Sequence, residues 1–183
     1  MSGFIIEGGE GDGFSAGVTN ENRLKTHCVN ESIEFHTNKH ETEAYTLMVG
    51  VTPTGAGDCF LYVKNNSERD MVVSEFMFYC ASDEILQFKL NDIGTPIGGT
   101  DITAGNRNAG AGEEADIDSQ SGVNITGMDG GHVVGGTFKK GGEDSSYIAM
   151  KSGFIIPKNK ILTAYVVTGT AAVLLGVGIY FHD

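Results

Sequence analysis

The last long apolar stretch, residues 161–180, constrains this chain more than any other feature. It carries no charged side chain and is flanked by Lys158 and Lys160. Its length matches the roughly 20 residues that a membrane-spanning helix requires, but its internal order does not suit a helix. Thr168-Gly169-Thr170 is a turn signal at its centre, and Gly176 and Gly178 interrupt its second half. From Val173 the odd positions read Val, Leu, Val, Ile, Phe up to Phe181. The even positions hold Leu174, Gly176, Gly178 and Tyr180. Large residues on one face and smaller ones on the other repeat with a period of two, the period of a strand. Residues 161–168 alternate in the same way. The expectation is a terminal β-hairpin, with a tail-anchored membrane protein through residues 161–180 as the alternative.

The same period recurs upstream. Strands are expected over residues 45–51, 58–64, 71–80 and 84–90, with weaker ones over 100–104, 123–126 and 132–138, and another over 146–156. Pro53 and Gly55 close the first, and Asn65-Asn66-Ser67-Glu68-Arg69-Asp70 makes a polar turn after the second. Glycine accounts for 27 of 183 residues, about twice the usual ~7% and without a collagen period, so it marks many turns between short strands. The fold class that follows is all-β, an antiparallel β-sandwich of jelly-roll type over residues 45–183. Residues 1–44 read as an extended Gly-rich and polar N-terminal arm, whose 27–44 part is a polar stretch expected as a short helix or as extended chain. The run Glu7-Gly8-Gly9-Glu10-Gly11-Asp12-Gly13 buries too little to fold alone. Contacts with neighbouring copies in an assembly would order such an arm.

Composition excludes several classes. Twelve Lys+Arg stand against 24 Asp+Glu, a formal charge of −12, which argues against a phosphate-backbone binder. Cys28, Cys59 and Cys80 are odd in number and lack C-x-x-C spacing, so they read as reduced thiols rather than a disulfide framework or a zinc site. The N-terminus lacks the pattern of a signal peptide, which leaves synthesis in a cytoplasm as the default.

No chemical motif outweighs its plainer reading. His36 and His40 lie at i, i+4, yet Thr37 stands where a zincin motif needs Glu, and no third ligand is in view. The acidic run from Glu113 to Asp118 lacks EF-hand spacing and reads as a solvated loop. Residues 129–136, Asp-Gly-Gly-His-Val-Val-Gly-Gly, lack the Lys-Ser/Thr pair of a phosphate loop. His27 beside Cys28 is mere adjacency, and no G-x-S-x-G elbow occurs. The expectation is a non-enzyme with no catalytic residues, no cofactor and no metal site.

Four stretches carry a resemblance. Asn20 to Thr26 is similar to the arm segment of a group of tailed-bacteriophage virion proteins. Residues 61–73, Leu-Tyr-Val-Lys-Asn-Asn-Ser-Glu-Arg-Asp-Met-Val-Val, resemble the most specific feature of that group, a turn between two core strands. Gly105-Asn106-Arg107-Asn108-Ala109-Gly110 resembles one of its loops. The ending, from Ile155-Ile156-Pro157-Lys158 to the final strand, is also similar. The resemblance implies a virion structural protein. Combined with the arm and the acidity, it leads to the expectation of a capsid decoration or cement protein on the outer capsid surface. Its expected partners are the major capsid protein and neighbouring copies of itself as a homo-oligomer, with no nucleic acid and no membrane. A tail, connector or fibre component, including a host-contacting one, is the alternative.

Overall fold

The computed structural model of the protein describes residues 32–139 and 148–182. The arm expected over residues 1–31 lies outside the described residues. From Ile33 onward the chain forms one unit. It opens with a helical turn, α1 (Ile33–His36), that widens into a π-helical turn (Thr37–Glu41) ended by Thr42 in the left-handed region, φ 59°. Of the two alternatives for residues 27–44, the short helix is the one present, over Ile33–Glu41. It is held locally, because Glu34 accepts from Ser74 and pairs with Arg107 on the sheet beneath it.

Twelve strands follow among the described residues. They are β1 (Ala44–Val51), β2 (Cys59–Asn65), β3 (Asp70–Cys80), β4 (Glu84–Leu90), β5 (Ile93–Ile97) and β6 (Thr100–Asp101). The rest are β7 (Gly105–Asn106), β8 (Ile117–Asp129), β9 (His132–Lys139), β10 (Ile148–Ile156), β11 (Ile161–Val166) and β12 (Val173–His182). One sheet has the order β10-β3-β12-β1-β7, and the other β5-β8-β2-β11-β4-β9 with β6 beside β8. All pairings are antiparallel.

Without β5 to β8, the sheets reduce to β10-β3-β12-β1 facing β2-β11-β4-β9. Successive strands of this set change sheet at every connection except β4 to β9, which are antiparallel neighbours. That is the strand order of a jelly roll, two four-stranded sheets wound as two Greek keys. Residues 91–131 are an insertion in the β4–β9 connection.

Alternation along each strand builds the core. Val173, Leu175, Val177, Ile179 and Phe181 of β12 are all buried against Tyr45, Leu47 and Val49 of β1 and the opposite sheet. In β3 the buried set changes phase between Val73 and Phe76, because a bulge there admits Ser74 as an extra residue opposite Gly178–Ile179. Phe76 and Phe88 stack across the two sheets with ring centroids 4.1 Å apart. The small residues on the outer face of β12 are small for a reason. A Cβ on Gly178 would lie 2.5 Å from the Arg107 guanidinium, and one on Gly176 would lie 3.0 Å from the Met48 sulfur.

The expected terminal hairpin is corrected. β11 pairs with β2 and β4 in one sheet, whereas β12 pairs with β1 and β3 in the other. The Thr168-Gly169-Thr170 turn crosses the end of the sandwich. Glu84 anchors it there, accepting from the Thr168 amide at 2.9 Å and its hydroxyl at 2.8 Å. The tail-anchor alternative is corrected with it, since residues 161–180 supply two strands. No helix among the described residues is long and apolar enough to cross a membrane.

Candidate functional site

The insertion borders a cavity on the outer face of the β2 sheet. Asn91–Asp92 and Gly130–Gly131 are two-residue steps at which the β4/β9 ribbon turns into the β5/β8 ribbon. Asp92, 2% exposed, pins this corner. Its carboxylate accepts from the Gly131 amide at 2.5 Å, the Thr163 hydroxyl at 2.6 Å and the Tyr165 hydroxyl at 2.6 Å. Burial pushes the Asp92 carboxyl up, but these hydrogen bonds, with Lys89 nearby, outweigh it and hold the group below its ordinary value. The Lys89 ammonium lies over the Tyr165 ring, 3.9 Å from its centroid.

From that corner β8 runs back to pair along β2, so the outer face of β2 and β11 becomes the floor of a cleft. Directly paired residues share a face. Thr163, Tyr62, Gln120 and Asp101 make one row across β11, β2, β8 and β6, and Ile161, Lys64 and Asp118 make the next. Cys59, Tyr62 and Ile125 form a small second core under the ribbon. The β5 segment Gly94–Pro96 borders the cleft above, where a register shift breaks its pairing with β8. The cavity between them measures about 630 Å³, within the roughly 300–1,000 Å³ of small-molecule sites.

The polar groups facing this cavity are fixed in different degrees. Gln120 Nε2 donates to Asp101 Oδ1 at 3.0 Å, and the Gln120 side chain packs against Gly99. Lys64 and Asp118 pair loosely at 3.9 Å. The Tyr62 side chain is almost wholly buried, and on the neighbouring strand Gln120 Oε1 is a buried atom with no hydrogen-bond partner among the described residues. Burial first, then the Asp118 charge, pushes the Tyr62 phenol above its ordinary value, so it remains a donor at neutral pH.

The residues singled out in the sequence lie elsewhere. The His36 and His40 rings lie tilted against each other with centroids 4.6 Å apart, and no metal-holding cluster of His, Cys, Asp or Glu occurs among the described residues. In the acidic run, Glu113 accepts from the Thr42 hydroxyl, while Asp116 offers its carbonyl to the Asn66 amide. In the glycine stretch 129–136, the Gly131 amide that would cradle an anion is already bound to Asp92. Cys28 lies outside the described residues. Cys59 and Cys80 are buried, and burial pushes the Cys59 thiol up to about 12.

Of the stretches that carry the resemblance, residues 20–26 lie outside the described residues, while 61–73 and 105–110 are joints of the fold. Asn65 is completely buried. It donates to the carbonyls of Arg69 and Ile156, both at 2.8 Å, and accepts from the Ser67 amide, locking the β2–β3 turn to the end of β10. Arg69 pairs with Glu43. In the 105–110 loop, Asn106 donates to the Thr42 carbonyl, Asn108 to the Asn38 carbonyl, and Arg107 joins Glu34, Glu75 and Thr46. The loop thus straps the helical turns to the sheet. Sequence reasoning did not find the cleft, because its row comes from four strands whose positions share no local motif. Compared with protein-family models, curated proteins and solved structures, the chain matches none.

Proposed function

We propose that this chain is a structural protein of a tailed-bacteriophage virion, a decoration or cement protein seated on the outer face of the capsid lattice. The observation that carries the reading is that residues 61–73, which carry most of the resemblance, lock the β2–β3 turn of this jelly roll. Resemblance and fold therefore concern the same positions. Function does not follow from a jelly roll alone, and the other supports are independent of it. The charge of −12 suits a site facing solvent better than one against packaged DNA. The Gly-rich N-terminal segment suits an arm that crosses to neighbouring subunits. Its ordering entropy would be offset by buried contacts, and avidity over a symmetric lattice would hold the protein in place. The role is structural rather than catalytic, and the partners are the major capsid protein and further copies of this chain.

The test is co-sedimentation of the purified full chain with capsids that lack it. Saturable binding at a fixed ratio to the capsid subunit, weakened by removing residues 1–31, is the expected result. Absence of binding to capsids, or recovery with membranes instead, overturns the reading. The cleft on the insertion favours a second reading, a tail or fibre component that touches the host, because such loops on a rigid β-scaffold are where binding functions reside.

A further inference from the structure

We propose that the cleft between the insertion and the outer face of β2 and β11 binds a neutral saccharide. This goes beyond the assignment to the virion and does not depend on where in a particle the protein sits.

Three observations carry it. First, the cavity is built by long-range pairing, with Tyr62, Gln120 and Asp101 placed side by side on adjacent strands by backbone register. Its floor is preorganised, and little ordering cost remains for a ligand. Second, the groups on that row present a phenol donor, an amide and a carboxylate acceptor. Gln120 Oε1 is buried with no hydrogen-bond partner among the described residues, and Asp101 uses only Oδ1 toward Gln120. A molecule with adjacent hydroxyls, each both donor and acceptor, satisfies such a row, whereas a purely apolar ligand would strip water from these groups without replacing it. Third, the fixed charges at the mouth are Asp101, Asp118 and Lys64, one more negative than positive. That balance disfavours sialic and uronic acids and places no cost on neutral hexoses. Ile161 supplies an apolar wall for the C–H face of a sugar ring.

The cavity contains no residue of the jelly-roll core whose replacement would be needed to test it. Tyr62→Phe removes only the hydroxyl, and Asp101→Asn keeps the shape of an exposed side chain on β6. The probes are a panel of neutral mono- and disaccharides (glucose, galactose, mannose, N-acetylglucosamine, lactose, maltose) and an acidic set (sialyllactose, glucuronic acid). Binding to the purified full chain is followed by saturation-transfer NMR and calorimetry. At least one neutral saccharide is expected to bind saturably and in preference to the acidic set. Tyr62→Phe and Asp101→Asn are each expected to weaken it about fivefold or more, as loss of one ligand hydrogen bond does. Their circular dichroism and unfolding midpoints should match the parent.

No saturable binding across the panel, preference for the acidic sugars, or binding untouched by both variants overturns the proposal. Saturable binding of an extended peptide in the cleft with no sugar binding overturns it in favour of a protein partner. Because the assay uses isolated protein, its failure leaves the capsid reading standing. Failure of the capsid co-sedimentation likewise leaves the saccharide proposal standing.

Discussion

Replacing Asp92 should open the corner at which the insertion departs from the jelly roll. Its carboxylate holds three donors from two distant stretches, the Gly131 amide and the Thr163 and Tyr165 hydroxyls. Thr163 is completely buried. In Asp92→Ala the Thr163 hydroxyl and the Gly131 amide lose their partner without gaining water, at about 1–3 kcal/mol each, and Tyr165 loses a charge-assisted bond. The sum is about 3–5 kcal/mol, a large part of a typical domain's stability. Asp92→Asn keeps an acceptor and should cost about half as much. The chain has no Trp, so unfolding in urea is followed by circular dichroism.

Proton linkage adds a second test. The folded-state value of Asp92 lies below its ordinary value of 3.8. Its contribution is therefore fully present above that ordinary value and is lost as the pH falls through the lower, folded-state one. The stability gap between the parent and Asp92→Asn should be constant from neutral pH down to about 5 and should narrow below 3.8. A gap under about 1 kcal/mol at pH 7, or one that does not narrow in acid, would refute the reasoning.

Other joints are open to the same kind of experiment. Asn65→Ala removes three hydrogen bonds from a completely buried site and should destabilise by about 2–4 kcal/mol in urea unfolding. Gly178→Ala places a methyl against Arg107, Glu75 and Ser74, and a thermal melt should report a loss of about 1–3 kcal/mol from overpacking. Cys59, buried with its thiol pushed up to about 12, should resist iodoacetamide at pH 8 in the native protein. Mass spectrometry of a digest should find it alkylated only after unfolding.

Period-two alternation made the jelly-roll strands legible, and from Val173 to Phe181 it also identified the buried face. It carries no information on which strand lies alongside. That is why β11 and β12, adjacent in sequence, read as a hairpin although Glu84 and the Ala81–Ala172 backbone bond hold their connection across the end of the sandwich. Strand β8 was legible only around residues 123–126, because Ile117, Val123, Ile125 and Met128 are thinly spread among polar residues. Its length comes from pairing with β2, far earlier in the chain, from Asn65 opposite Ile117 to Cys59 opposite Ile125. Pro96 and Gly94 concealed β5 for the ordinary reason that both disfavour strands. The corner around Asp92 was invisible, since its partner Tyr165 lies 73 residues away. The motif at 61–73, by contrast, stood out as a unit because Asn65, Ser67 and Arg69 build one local turn.

The most direct measurement is the number of copies of this chain per major capsid subunit in purified particles, by quantitative mass spectrometry. The account predicts a ratio near one, or a simple lattice fraction of it. A ratio of a few copies per hundred capsid subunits, or absence from the particles, would contradict it.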